Sequence, residues 1–329
     1  MVNGEVRETR KGLVTTIIPV YNRAGMLQEA VASVLVQTYR PIEIIIVDDG
    51  STDDTARVAD GLSARHPGEI RVIHQANTGP GLAREAGRLL ARGEFIQYLD
   101  SDDILLPRKF ELQVAGLRQN PDCGVSYGWT RYRHHDGTAE RGPWKGSGMK
   151  VETMFPAFLR SRWWDTPTPL YLAAVCSLAG SWTDLRLEED WEYDCRIASL
   201  GVRLQYCEEY VAEVRDHGEG RLCQGTALDP QRLRERARAH ELIFGHAQRA
   251  GIGSNSPEML NFARELFLLC RQCGAAGLGE ESKRLFQHAW DASGAERGNG
   301  MDFRLYRILA NVAGWTSAGK ISCFMDRFR

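Results

Sequence analysis

Three carboxylates fall within four residues at Asp100-Ser101-Asp102-Asp103, directly after the apolar run Phe95-Ile96-Gln97-Tyr98-Leu99. Carboxylates this crowded raise one another's pKa unless a cation sits among them. Oxygen ligands suit a hard divalent ion, Mn2+ or Mg2+. Such ions keep waters and share their shell with substrate phosphates, so one chemistry open to the run is a metal–diphosphate site. The other reading is structural: Asp102 and Asp103 precede a helical stretch at 107–120 and would cap it.

Three more polar clusters repeat the form. Pro19-Val20-Tyr21-Asn22 closes the apolar run 13–20, Asp48-Asp49-Gly50-Ser51 closes 42–47, and Asn77-Thr78-Gly79 lies beyond 70–74. Tyr21 offers a ring to cover a base, and Asp49 an acceptor for base or ribose. Gly79 and Gly81 let backbone approach a ligand closely. Arg84 and Arg88 sit one helical turn apart and offer cations to anionic groups. Strand-to-helix turns use Asp, Asn and Gly without any ligand. Four such ends in order, each behind a buried strand, favour a nucleotide site.

The elements that must position these residues alternate. Strands at 13–20, 42–47, 70–74 and 95–99 are apolar and β-branched, as strands buried on both faces are. Between them run helices at 26–37, from a capping box of Ser51 and Asp54 to about residue 66, and at 82–92. This order predicts an α/β fold with a mostly parallel sheet and right-handed crossovers. Its strand ends share one rim, where open α/β sheets bind ligands. Residues 125–132 read as a further strand, with an antiparallel sense open, and 134–147 as a polar loop containing His134 and His135. A helix at 187–200 stops at Gly201, and 202–206 and 210–214 read as two short strands. Beyond a composition shift near Gly225 the chain is helical, at 230–250, 257–273 and 279–292.

The bulk composition narrows the classes. The 329 residues are 43% hydrophobic and 26% charged, enough for a full core. A net charge of −2 gives no surface-wide case for a nucleic-acid partner. The 8 cysteines form no disulfide or zinc framework. Cys270 and Cys273 make a CxxC inside a helical stretch and read as reduced core thiols. No signal peptide or membrane-spanning run is evident, which makes the cytoplasm the expected location. The Rossmann G-x-G-x-x-G and the P-loop are absent, against a dinucleotide oxidoreductase and a P-loop kinase.

Taken as an ordered set, Ile18-Pro19-Val20-Tyr21-Asn22, Ile46-Val47-Asp48-Asp49-Gly50-Ser51, Asn77-x-Gly79, Ala83-Arg84 and Leu99-Asp100-Ser101-Asp102-Asp103 resemble the family 2 inverting glycosyltransferases of GT-A fold. The resemblance is close from about residue 14 to 103 and weaker to about 217. It implies a GT-A type fold: a mostly parallel nucleotide-binding sheet flanked by helices, with a C-terminal helical extension. The implied division is a polar segment at 1–12, a nucleotide-sugar-binding half at 13–120, an acceptor-binding half with the catalytic base at 121–225, and the extension at 226–329. Pro19, Tyr21, Asn22, Asp49, Asn77, Gly79, Arg84, Asp100, Ser101 and Asp102 are the implied donor-binding residues. Asp102 leads the implied metal ligands, with Asp100.

The family also carries a Glu-Asp pair at a helix start that holds the base. Glu188-Glu189-Asp190-Trp191, followed by Arg196 and Gly201, offers it. Glu189-Asp190 matches the pair and Asp190 resembles the base; Glu188 leaves the register open by one residue. Acids in a first helical turn are also favoured by the helix dipole alone. His217, after a short strand, stands where related enzymes place a basic group near the diphosphate or metal, and is equally readable as structural. Trp191, Asp103 and Trp182 are the acceptor candidates. Trp163, Trp164 and Trp182 are read as core in preference to sugar-stacking rings.

The implied reaction is an inverting transfer from a nucleotide-diphosphate sugar, UDP being the commonest nucleotide in the family, to a glycan, lipid-linked or other small acceptor, as in polysaccharide biosynthesis. The rivals are a sugar nucleotidyltransferase, which would show a Gly-rich basic loop after the first strand, and a non-catalytic nucleotide-sugar-binding assembly protein. In the tail, Phe303, Leu305, Tyr306, Ile308, Leu309 and Val312 interleave with Arg304 and Arg307, ahead of Lys320, Phe324, Arg327, Phe328 and Arg329. That pattern suits peripheral contact with the inner face of a membrane, packing on the protein's own helices, or a homo-oligomer.

Overall fold

The computed structural model describes residues 9–217, 226, 228–298 and 300–326. Residues 1–8 of the polar N-terminal segment, the composition shift at Gly225, and Arg327, Phe328 and Arg329 lie outside them. The chain divides into two compact units, one of residues 1–153, 163–184 and 202–219, the other of 154–162, 185–201 and 220–329.

The first unit contains one eight-stranded sheet. Its strands are β1 (Arg10–Val20), β2 (Ile42–Asp48), β3 (Ile70–His74), β4 (Gly93–Tyr98), β5 (Ile104–Leu105), β6 (Cys123–Arg133), β7 (Leu170–Leu172) and β8 (Arg203–Arg215). Their order is β3-β2-β1-β4-β7-β6-β8-β5. Strands β1 to β4 pair in parallel, connected by α1 (Ala24–Leu35), α2 (Thr55–Arg65) and α3 (Pro80–Leu90), as the alternation requires. Val20 stands opposite Asp48, and Asp48 opposite His74, so three strands end level. The sense open for β6 resolves both ways: it is antiparallel to β7 and parallel to β8. The two short strands expected at 202–214 are one strand, β8. Helices α4 (Lys109–Gln119) and α5 (Ala173–Ala179) complete this unit. Val14, Ile18, Leu27, Val31, Ile44, Ile46 and Phe110 are buried in its main core.

Two expected caps are not formed. Helix α4 begins at Lys109 with Arg108 at its cap, so Asp102 and Asp103 lie too far upstream to serve it. Helix α2 begins at Thr55 with Asp54 at its cap and no side-chain cap bond, so Ser51 lies upstream of the cap, where its hydroxyl accepts from the Asn22 N–H.

The second unit is helical: α6 (Glu189–Ala198), α7 (Pro230–Arg249), α8 (Pro257–Ala275), α9 (Gly279–Gly298), α10 (Met301–Ala313) and α11 (Trp315–Asp326). Asp229 and Ser256 accept from the backbone N–H groups of Arg232 and Met259, and each precedes a proline at the first helical position. Residues 185–201 group with the C-terminal helices and with 154–162, since ion pairs fasten α6 to α7 and to Arg162. Cys270 and Cys273 are free and buried in α8, their thiols pushed up by burial to about 11 and about 12. No described helix is long and apolar enough to cross a membrane.

Candidate functional site

The rim of the first unit is assembled by loops that hold one another. Asn22 takes a left-handed backbone (φ 52°) immediately after β1. Its N–H donates to Ser51 Oγ at 2.9 Å, and its Oδ1 accepts from Thr52 N at 2.7 Å. Arg23 N donates to Thr55 Oγ1 at 2.9 Å. The first two polar strand ends are therefore one hydrogen-bonded structure. Pro19 is buried within β1, whereas Tyr21 is 46% exposed at the rim.

Asp49 joins the third loop to this pair. It is buried, and its Oδ1 accepts from Gln75 Nε2 (2.8 Å) and Thr78 N (2.9 Å), its Oδ2 from Gly79 N (2.8 Å). The carboxylate is thus committed first to the shape of the 75–79 loop. Gly50 is required there: at φ 78° a Cβ would meet Asn77 N at 2.8 Å. Gly79 takes φ 94° and opens α3, with Pro80 next in line. Asn77 is exposed beside it.

Helix α3 points Arg84 at the acidic run. Arg84 is 3% exposed, and its Nη2 lies 2.6 Å from Asp100 Oδ1. Its guanidinium also sits over Trp182, 4.9 Å from the ring centroid. Trp182 is buried and meets Tyr98 edge to face at 4.9 Å, as core-forming rings do. Trp164 is buried as well. Arg88, expected to face a ligand, pairs with Glu85 of its own helix at 2.7 Å.

Around Asp102 three further groups converge. His217 Nε2 is 2.9 Å from Asp102 Oδ2, and Arg23 Nη1 is 3.5 Å from the same oxygen and 3.1 Å from His217 Nε2. Arg215 donates through Nε to the Asp102 carbonyl at 2.7 Å and pairs with Glu29. Ser101 and Asp103 are buried. Asp103 accepts from the Arg215 N–H at 3.2 Å. Burial first, then the charges of Asp102, Asp100 and Asp165, push its carboxyl well above the ordinary range.

Among the described residues no three of His, Cys, Asp and Glu form a ready-made metal cage. A hard cation that takes most of its shell from diphosphate and water needs no such cage. Asp102 and His217, already within 2.9 Å of each other and partly exposed, fit that lesser role. Asp100, gripped by Arg84, fits it less directly.

In the second unit, Glu188 takes the position before α6 with a left-handed backbone (φ 59°). Its Oε1 accepts from Arg236 Nε at 2.9 Å, and His240 Nδ1 lies 3.0 Å from its Oε2, both partners on α7. Glu189 and Asp190 then start the helix, Glu189 buried and Asp190 part-exposed. Asp190 Oδ2 is 2.5 Å from Arg162 Nη1, while Arg162 Nε donates to Asp194 Oδ2 at 2.7 Å. Trp191 packs within its own unit: its indole N–H donates to the Phe158 carbonyl at 2.8 Å, and its ring meets His240 edge-on at 5.3 Å.

Sequence reasoning passed over Arg23, Arg162 and Gln75, and within the run Arg215-Asp216-His217 it singled out His217 and not Arg215. Arg23 and Arg215 stood in the open, directly after Asn22 and two residues before His217. Arg162 carries no local signal, since it reaches Asp190 from 28 residues away.

The sequence model of the family Glycosyl transferase family 2 matches residues 15–177. An uncharacterized glycosyltransferase of Rickettsia felis is 43% identical over 107 residues, covering 32% of this chain and 17% of the relative. The chain thus spans less than a fifth of that relative's length. Among solved structures, S. aureus TarS in complex with UDP-GlcNAc superposes with TM-score 0.65 at 17% identity, covering 95% of this chain and 92% of TarS. The mannosyltransferase PcManGT from Pyrobaculum calidifontis, in complex with GDP-Man and Mn2+, gives 0.52 at 17% identity, covering 96% of this chain and 86% of that one. The fold is the GT-A fold that these neighbours share, with a C-terminal helical region.

Proposed function

We propose that this chain, which carries a family 2 glycosyltransferase domain at residues 15–177, is an inverting glycosyltransferase that moves a sugar from a nucleoside-diphosphate donor to a hydroxyl. The observation that carries the reading is the rim itself: three loops bound together through Asn22 and Asp49, beside an acidic run already met by Arg84, Arg23 and His217. A nucleotide site needs such a rigid polar rim, and a diphosphate needs cations there. UDP-sugar is the favoured donor, and a glycan or lipid-linked molecule the favoured acceptor.

In this reading Tyr21, Asn22, Asn77 and Gly79 border the nucleoside, with Pro19 and Asp49 fixing the loops behind them. Arg84 holds Asp100 in place, and Ser101 sets the turn. Asp102, with His217 and more distantly Asp100, would hold Mn2+ or Mg2+. The ion when bound would offset the charge that develops on the departing diphosphate. Arg23 is placed to add to that charge balance from the protein side. Asp190 is the general base: it takes the proton of the acceptor hydroxyl as that oxygen bonds to the anomeric carbon and the bond to diphosphate breaks. Attack opposite the leaving group inverts the centre, so an α-linked donor gives a β-linked product. Arg162 keeps Asp190 oriented, and Glu189 completes the helix start. Trp191 and Asp103, like Trp182, are packed or hydrogen-bonded within their own units, which favours support of the site over acceptor contact.

The test is a panel of nucleotide sugars with Mn2+, read by release of nucleoside diphosphate and by thermal shift. Donor-specific stabilisation with slow diphosphate release is expected. Release of pyrophosphate from a nucleoside triphosphate and a sugar phosphate would reassign the chain to nucleotidyl transfer. Binding without any turnover would make it a binding protein.

A further inference from the structure

Helix α10 is apolar on two opposite sides. Phe303, Tyr306 and Ala310 are buried on one. Met301, Leu305, Ile308 and Val312 stand 77%, 61%, 59% and 83% exposed on the other. At 3.6 residues per turn these four occupy an arc of about 60°, a single stripe running the length of the helix. The inward face already accounts for the helix's place in the core, where Phe303 stacks on Phe267 with centroids 4.5 Å apart. The stripe is therefore surplus to folding. Solvent-exposed apolar side chains scattered singly need no explanation, but four in register form a contact surface.

The side chains beside the stripe identify what it meets. Arg304, Arg307 and Asn311 are exposed along one flank. Arg307 is held there by its guanidinium over Trp290, 4.9 Å from the ring centroid. Helix α11 adds exposed Ile321 and Met325, with Lys320 exposed one residue before them. Asp302 is an exposed acid in the first turn of α10. The chain as a whole carries a net charge of −2, so the local basic character is not a general property of its surface. An apolar stripe bordered by long basic side chains matches the boundary of an anionic bilayer, where the apolar residues enter the acyl region and the arginines reach the phosphates. A second copy of the chain fits less well. The stripe offers a few hundred Å2, whereas a stable dimer buries about 800 Å2 per partner.

We infer that the outer face of α10 docks this protein on an anionic lipid surface. The inference does not rest on the transferase reading. Flotation of the full chain with vesicles tests it, using phosphatidylcholine alone and phosphatidylcholine with about one-third phosphatidylglycerol. The wild-type chain should partition onto the anionic vesicles about tenfold or more above the neutral ones. The triple variant Leu305→Gln/Ile308→Gln/Val312→Gln keeps good helix formers at exposed positions, so helicity and Tm should hold while flotation is lost. Arg304→Glu should weaken flotation on anionic vesicles alone. Equal flotation of wild type and triple variant, or none by wild type, overturns the proposal. A wild-type dimer in analytical ultracentrifugation that the triple variant abolishes, without vesicle binding, hands the stripe to a second copy instead.

Discussion

The acids at the end of β4 and the acids at the start and along the first turns of α6 are opposite in treatment. Along α6, carboxylates are matched by side-chain cations of the same unit: Glu188 by Arg236 and His240, Asp190 and Asp194 by Arg162, Glu192 by Arg196 and His246. At the end of β4, Asp100 and Asp102 have Arg84, Arg23 and His217, but the buried Asp103 receives, among the described residues, a backbone N–H and no side-chain cation. The first arrangement fixes a helix and holds the carboxyls of Glu188 and Glu192 below the ordinary range. The second leaves one carboxyl, that of Asp103, without a side-chain cation among the described residues, its pKa pushed well up by burial and then by the neighbouring acids. A base has to be ionised and oriented before its substrate comes, whereas a cation corner has to be incomplete until its ligand comes.

Removing the proposed base should break the comparison most severely. Asp190→Asn retains the shape and the contact with Arg162 but cannot take a proton. Transfer should fall by about 10²- to 10⁴-fold, with donor affinity unchanged in calorimetry. Retention of most transfer would move the base elsewhere in the chain. The corner should respond in the opposite sense. Asp102→Ala should weaken Mn2+-linked donor binding by about tenfold or more, as expected for a lost charged contact of about 1.5–3 kcal/mol. Donor affinity measured in the absence of Mn2+ should change much less. Equal losses with and without the metal would make Asp102 a plain donor contact.

The corner was far more legible in the sequence than the base's surroundings, and the reason is locality. Strands β1, β2 and β4 are buried on both faces and read as near-continuous apolar runs, whereas β3, expected to be buried likewise, lies at the sheet edge and is only half-buried; each polar end follows close behind its strand. For Asp190 and its acidic neighbours the partners come from distant segments, Arg162 from irregular chain and Arg236, His240 and His246 from α7, and no local pattern announces them. Glu208 and Glu209 divided β8 into two expected strands, because their side chains break the apolar run while the backbone pairing with β6 continues past them. In α10 the apolar residues form one list in the sequence; only burial separates Phe303 and Tyr306 from Leu305, Ile308 and Val312.

Proton linkage gives the smallest and sharpest test of the balanced side. Glu192 is 2% exposed, between Arg196 Nη2 at 2.5 Å and His246 Nε2 at 2.7 Å. Burial acts to raise its pKa, but hydrogen bonds from His246 and Arg196 and their charges hold it below the usual 4.5. A carboxylate depressed by folding contributes stability that is fully present above its unfolded pKa and is lost as pH falls through its folded one. Urea melts of wild type and Glu192→Gln should therefore differ at pH 7 by about 1–3 kcal/mol and converge as the pH drops below 4.5. A gap that stays constant across that window would mean that Glu192 contributes through its packing and not through its charge, and its pairs with Arg196 and His246 would then be scaffolding with no electrostatic part in stability.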